Sequence, residues 1–360
     1  MSDTIRYGII GSGMMGREHI ENVTALPGAE IVAVSDPDHN SRDLAAKLLS
    51  DTATIHDDHR DLLATGTCDA VVVASPNHTH VDIVPDVLDA GVHTMVEKPL
   101  CTNVADCRRL VERAAAAPAD RVVWMAMEYR YMPAAADLIR YVHGGHIGRP
   151  RMIAIREHRF PFLDKVGHWN RFSENTGGTL VEKTCHFFDL MNLVLQERPH
   201  RVMASGAQDV NHLDEEYDGR HPDILDNAFV IVDYPSGARA LLDLCMFAEA
   251  TKEQEEMSVV GELGKIEAKL PSNTVHVGRR GEHWIGGAET YVAHDDEIAH
   301  EGLHHGSSYL EHVRFTEAIR NGTPPAVTLE DGMWAVAMGA AAHRSIELGR
   351  PVELTEMMNE

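Results

Sequence analysis

An apolar run from Tyr7 to Ile10 turns directly into Gly11-Ser12-Gly13-Met14-Met15-Gly16, and residues with helical spacing follow. This order of strand, glycine turn and helix restricts the fold more than any other stretch of the chain. Gly11 permits a tight turn, Gly13 lets the backbone approach a pyrophosphate, and Gly16 lets helix and strand pack closely. Met14 and Met15 open the helix, whose first N–H groups have no acceptor within it and so suit phosphate oxygens. A second apolar run, Ile31 to Val34, ends at Asp36, twenty residues beyond Gly16. A carboxylate there can accept hydrogen bonds from adenosine ribose hydroxyls, or cap the next helix. Asp38 adds negative charge, and the nearest base, Arg42, falls on the following helix. The expected ligand is therefore a nicotinamide dinucleotide, NAD in preference to NADP, whose 2′-phosphate would meet like charge.

The alternation continues. "CDAVVVASP" and "HTMVEKP" read as short buried strands separated by the helical "HVDIVPDVLDAG", and a helix over about Asn103 to Ala117 precedes a strand at Val122 to Met125. Strands and helices alternating at this spacing predict a doubly wound parallel sheet of the Rossmann type, six strands in all, over residues 1–125. Ser75, Asn77 and His80 fall at the carboxyl end of "AVVVASPNHTH", the edge where such sheets bind ligands, although turn formation alone would account for Pro76 and Asn77.

Beyond Pro133 the texture changes. A helix from Ala134 to His143 precedes strand-like segments at Arg151 to His158, Asn227 to Tyr234, Ala238 to Phe247, Met257 to Leu270 and Thr274 to Arg279. The turns "YPSGA" and "GELGK" join consecutive strands as antiparallel hairpins. Residues 126–360 are thus expected to form an α+β domain with an open, mainly antiparallel sheet, so the fold class is α/β followed by α+β. The charged tract Asp209 to Asp226 lacks periodicity and is expected to be a mobile loop. Late helices are expected over Ser307 to Asn321 and Leu329 to Leu348.

A chain of 360 residues can bury two cores without disulfides. Its 32 Lys and Arg against 56 Asp and Glu give a net charge of −24, which argues against nucleic acid and anionic membranes as partners. Five scattered cysteines without CxxC spacing fit free thiols in a reducing cytosol, the polar start leaves no room for a signal peptide, and no stretch reaches a membrane span. The 23 histidines show no HExxH or related spacing, so no metal is expected.

The sequence resembles the Gfo/Idh/MocA oxidoreductases over nearly its whole length. The likeness rests on GSGMMG at 11–16, Glu97-Lys98-Pro99, "TGGTLVEKTCHFFDLM" at 176–191 and "FTEAIRNGTPPAVTLEDG" at 315–332. The family acts mainly on sugars, sugar derivatives and cyclitols. The resemblance implies that Lys98 and His186 lie by the nicotinamide and share the proton work as a ring hydroxyl becomes a ketone, with Glu97 in the cofactor site. A lysine with a lowered pKa or a histidine near neutrality suits that task. Where the family carries aspartate four residues before the histidine, this chain has Glu182. On one helix, Glu182 and His186 would share a face. Lys183 adds a titratable group that would give the site an extra acid or base and a substrate contact, against the favoured reading of a solvent-exposed lysine. By the same resemblance Arg130 and Trp169 line the cofactor side, Arg171 accompanies Trp169, and His305 and Tyr309 open a helix approaching the pocket.

Residues 156–171 hold Arg156, Arg159, Lys165 and Arg171 against two acids, with His158 and His168. A net-positive stretch in so acidic a chain suggests a receptor for a carboxylate, phosphate or sulfonate on the substrate, the alternative being internal salt bridges. Three functions follow. The first is an NAD-dependent dehydrogenase of a sugar or cyclitol hydroxyl. The second is an NAD-dependent glycosidase of the sulfoquinovosidase kind, which oxidises transiently, eliminates the aglycone and re-reduces. The third is a non-catalytic NAD sensor, which would have no use for Lys98. An apolar outer sheet face predicts a homo-oligomer, dimer or tetramer.

Overall fold

The computed structural model describes residues 4–359; Met1 to Asp3 and Glu360, the outer ends of the two expected domains, lie outside the described residues. Two compact units emerge. The first holds the described residues up to Glu128, with Lys165–Trp169 and Asp296–Val336. The second holds Tyr129–Asp164, Asn170–Asp295 and the described residues from Ala337 onward. Asp296–Val336, which the sequence reading placed with the second domain, clusters with the first.

The first unit is built on β1 (Ile5–Ile10), β2 (Ala29–Ser35), β3 (Thr54–His56), β4 (Ala70–Val73), β5 (His93–Val96) and β6 (Val123–Met125). They lie in the order β3-β2-β1-β4-β5-β6, every pair parallel, which is the doubly wound arrangement expected. The edge strand β3 supplies the sixth strand expected, although no segment of the sequence marked it, because three largely exposed residues give no apolar pattern. The late helix Ser307–Asn321 packs on this unit: the Tyr7 hydroxyl bonds Thr316 Oγ1 at 2.8 Å, and Trp124 meets Phe315 edge-on.

The second unit carries β7 (Pro150–His158), β8 (Arg201–Ala207), β9 (Asn227–Asp233), β10 (Arg239–Cys245), β11 (Glu255–Gly261), β12 (Gly264–Leu270), β13 (Thr274–Arg279), β14 (Glu289–Val292) and β15 (Val352–Glu353). Their order is β14-β13-β12-β11-β7-β10-β9-β8-β15, and only β7 and β10 run parallel. Alternate residues are buried along β9, β10 and β11, so one face of the sheet carries the core. That alternation also puts two acids inside. Glu157 shares the buried face with Ile153 and Ile155, and Glu255 shares it with Met257 and Val259. Register places Glu255 directly opposite Glu157.

The tract Asp209 to Asp226 is irregular, as expected, but it is stitched down, not loose. One Asp226 carboxylate accepts the backbone N–H groups of Asp209, Val210 and Asn211 at 2.7–3.1 Å. No helix among the described residues is long and apolar enough to cross a membrane.

Candidate functional site

In the first unit, each glycine of the 11–16 turn has its own constraint. Gly11 has φ +89°, and a Cβ there would lie 2.6 Å from the Ser75 nitrogen. A Cβ on Gly16 would lie 1.9 Å from the Gly11 carbonyl oxygen. A Cβ on Gly13 would meet open space, so here the backbone itself faces a vacant approach. Gly13 is also the N-cap of the helix Met14–Ala25 and brings no side chain to bond its first N–H groups. An uncapped helix start beside bare backbone fits a dinucleotide pyrophosphate, with Met14 and Met15 supplying the donors.

Asp36 follows β2, is buried, and sits against the same turn. Its Oδ2 accepts Ser12 N–H at 2.6 Å and its Oδ1 accepts Asp38 N–H at 2.8 Å. The next helix is capped by Asp38, which takes the Ser41 N–H, so the capping role considered for Asp36 belongs to its neighbour. Arg42 is turned inward, its Nη1 donating to the carbonyls of Asp36 and Pro37 at 2.6 and 3.0 Å. Arg42 is thus bound to backbone, and the Asp36 carboxylate remains the candidate partner for an adenosine ribose.

At the carboxyl edge, Ser75 accepts from Thr79 and Asn77 is buried in a short turn. His80 was expected to face the cofactor. Instead it is fully buried, Nδ1 lying 3.1 Å from the Pro99 and Leu100 carbonyls and Nε2 3.1 Å from that of Ser75. It ties the loop after β4 to the loop after β5, and burial lowers its pKa. Glu97 is likewise a support and not an open ligand. One oxygen meets His19 Nε2 at 2.9 Å, and the other accepts the Lys98 N–H at 2.9 Å. Burial works against its ionisation, but the His19 bond and charge and the nearby Lys98 hold its carboxyl at about 2. His19 Nδ1 in turn lies 2.8 Å from His312 Nε2. Half-buried Lys98 therefore stands at the strand edge on a turn braced from below by Glu97, His19 and His80. Trp169 belongs to this unit, edge-on to His78 at 6.2 Å with Lys165 Nζ 6.0 Å from its ring. Tyr309 is buried in the first turn of Ser307–Asn321, whereas His305 is exposed.

In the second unit the glycine pair of "TGGT" shapes the candidate catalytic turn. Gly177 and Gly178 have φ of +80° and +84°; they end the helix Ser173–Thr176 and start Thr179–Glu182. His343 Nε2 accepts the Leu180 N–H. Glu182 and His186 do not share one helix. The chain breaks at Lys183-Thr184 and restarts as Cys185–Leu195, because Thr184 Oγ1 turns back to the Leu180 carbonyl. Both Glu182 and His186 are buried.

Lys183 is the clearest departure from expectation: it is 6% exposed, not solvated. Its Nζ lies 2.8 Å from Glu157 Oε1 and 3.1 Å from the Tyr129 hydroxyl. Burial and the Arg159 charge lower its pKa. The physical reason is the register: two acids facing inward on adjacent strands require a cation. Arg130 forms a buried two-point pair with Asp189, at 2.6 and 2.5 Å, so its charge is satisfied within the helix region that carries His186.

The basic stretch 156–171 is ion-paired throughout its arginines. Arg156 lies between Asp243 of β10 and Glu256 of β11, at 3.1 and 3.2 Å. His158 meets Asp243 at 3.2 Å, Arg159 meets Glu157 at 3.3 Å, and Arg171 meets Asp164 and Glu215 at 2.6 and 2.8 Å. These contacts are the internal salt bridges that the sequence offered as the alternative to a receptor for an anionic substrate group. Tyr129, Glu157, Glu255 and His19 were not singled out as functional, since only the three-dimensional register gives them partners.

A parallel sheet with a bare-backbone glycine turn, a carboxylate at the second strand and a braced lysine at its carboxyl edge defines an NAD-binding oxidoreductase. Residues 5–126 match the model for the oxidoreductase family NAD-binding Rossmann fold, and residues 139–354 match that for the oxidoreductase family C-terminal alpha/beta domain. The chain belongs to the Gfo/Idh/MocA oxidoreductase family. It is similar to myo-inositol 2-dehydrogenase of Thermotoga maritima, 31% identical over 98% of this chain and 100% of that protein. Inositol 2-dehydrogenase 1 of Saccharopolyspora erythraea is 29% identical over 98% and 96%. Levoglucosan dehydrogenase in complex with NADH shares the fold, with a TM-score of 0.85 at 19% identity, covering 98% of this chain and 99% of that one.

Proposed function

We propose that this protein oxidises a ring hydroxyl of a cyclitol or sugar, the hydride passing to NAD and the hydroxyl proton to Lys98 or His186. The carrying observation is Lys98, set at the carboxyl edge of the Rossmann sheet on a turn whose N–H is held by the buried Glu97–His19 pair. Bound NAD supplies the hydride acceptor; the chain supplies position and a base. Oxidation of an alcohol removes one hydride from carbon and one proton from oxygen, so a lysine or imidazole beside the hydroxyl completes the balance. Glu182 is the candidate for orienting the substrate or His186. The similarity to inositol 2-dehydrogenases supports a cyclitol, and the inward-turned Arg42 supports NAD over NADP. Pairing of the 156–171 arginines weakens the case for an anionic glycoside, and the similarity to inositol 2-dehydrogenases favours dehydrogenation over hydrolysis.

The test is NADH formation from myo-inositol and a panel of neutral sugars, with NAD and NADP compared. Lys98→Met is expected to lower kcat by about 10²- to 10⁴-fold while calorimetry still detects NAD binding. Unchanged turnover in Lys98→Met would overturn the assignment, and aglycone release without NADH from added aryl glycosides would favour the glycosidase. We further propose a homo-oligomer formed through the outer sheet face, where Met203, Ile231 and Leu241 are cross-strand neighbours and Phe229 is 60% exposed. Light scattering reading a monomer mass would dismiss that.

A further inference from the structure

The proposed proton chemistry uses His186 but leaves the buried charges beside it without a task. The Tyr129 ring lies parallel to the His186 imidazole, centroids 4.2 Å apart and planes 5° apart. Phe187 closes on the same tyrosine edge-on at 5.7 Å. The hydroxyl end is held as firmly: Lys183 Nζ donates to it at 3.1 Å, and it lies 3.4 Å from Glu255 Oε1, to which it donates. Lys183 is fixed in turn by Glu157, and Glu255 by Gln254. An imidazole on a helix keeps a broad freedom about its terminal torsion, and a flat aromatic face against it selects one ring plane.

We propose that Tyr129 is a positioning residue for His186, and that Lys183 and Glu255 form the polar clamp that holds the tyrosine in place. The proposal rests on the reading of His186 as a proton-handling group, and it adds a pH dependence to that site. Glu255 is faced by Glu157 from β7, by Arg159 just beyond β7, by Lys183 from the turn between two helices, and by Tyr129; Gln254 adjoins it. With Glu255 ionised, the charges of Lys183 and Arg159 balance those of Glu157 and Glu255. Burial, then the opposed Glu157, push the Glu255 carboxyl up to about 6. Protonation below that pH leaves one uncompensated positive charge in the cluster and removes the anionic acceptor from the tyrosine. Both changes disfavour a protonated His186 and loosen its support.

The experiment follows the His186 ring by histidine-selective NMR on the full chain, assigned by its disappearance in His186→Gln, alongside kcat and KM for myo-inositol with NAD from pH 5 to 9. Wild type is expected to show an inflection near pH 6 in the His186 signal, absent from Glu255→Gln. Tyr129→Phe keeps the stack but shows a weaker inflection, since only the charge change then reaches the imidazole. Tyr129→Leu loses the stack as well, with kcat down about ten- to a hundredfold and KM within about twofold. A wild-type His186 signal in Tyr129→Leu, or an inflection that survives in Glu255→Gln, would overturn the clamp. Full turnover in His186→Gln would instead refute the proton-handling reading, while the NMR comparison still judges the clamp.

Discussion

Glu97 of the first unit and Glu255 of the second are the same side chain, each nearly closed off from solvent, yet they are driven in opposite directions. Glu97 is held at about 2 and Glu255 is raised to about 6. Burial penalises both carboxylates and so cannot explain the difference. The nearest partner does. Glu97 faces an imidazole at 2.9 Å and takes the Lys98 N–H, whereas Glu255 faces a second carboxylate across a strand pair, with Lys183 shared between the two. One acid is a fixed anion under a candidate catalytic lysine; the other is a titrating group beside a candidate catalytic histidine.

The strongest way to break this contrast is to remove the imidazole. His19→Ala should cost about 3 kcal/mol or more, because it leaves a buried carboxylate without its bonded partner. Since the folded pKa of Glu97 lies below its ordinary 4.5, its contribution is present above that pH and lost as pH falls toward about 2. His19→Ala should therefore flatten the acid side of a stability–pH curve, read by denaturant unfolding; a loss under about 1 kcal/mol would show that Glu97 finds its support elsewhere.

A smaller effect sharpens the other half. The folded pKa of Glu255 lies above its ordinary 4.5, so its favourable contribution is present below that value and lost as pH rises through about 6. Glu255→Gln should then gain about 2 kcal/mol at pH 8 and almost nothing at pH 4, measured by thermal unfolding at both. Equal shifts at the two pH values would show that the gain comes from packing instead. Stabilisation at pH 8 alongside altered catalysis would mark Glu255 as an acid kept at a cost to the fold.

Legibility in the sequence followed the range of the cause. The glycine turn and Asp36 were readable because local backbone geometry demands them, whereas Lys98 was marked by the resemblance of Glu97-Lys98-Pro99 to the family. The antiparallel hairpins at "YPSGA" and "GELGK" were readable from their turns. The strand Arg201–Ala207 was not, since "RVMASGA" is rich in small residues, and Glu289–Val292 was not, since it is exposed on every residue. Lys183 read as solvated because its partners Glu157 and Tyr129 lie far back in the chain. For Arg156 the anion receptor and the internal salt bridge stayed open, because only strand order sets it between Asp243 and Glu256. Charges whose fate is decided by register cannot be assigned from neighbours in sequence.

The 1.9 Å that separates a hypothetical methyl on Gly16 from the Gly11 carbonyl has a consequence for how such a chain can change. At Gly11 and Gly16 turn and helix are fused into a single mechanical part, with no spare volume there for selection to act on. Drift toward a different coenzyme has more room at residues 36–42, where it would begin by freeing the Arg42 guanidinium from two carbonyls.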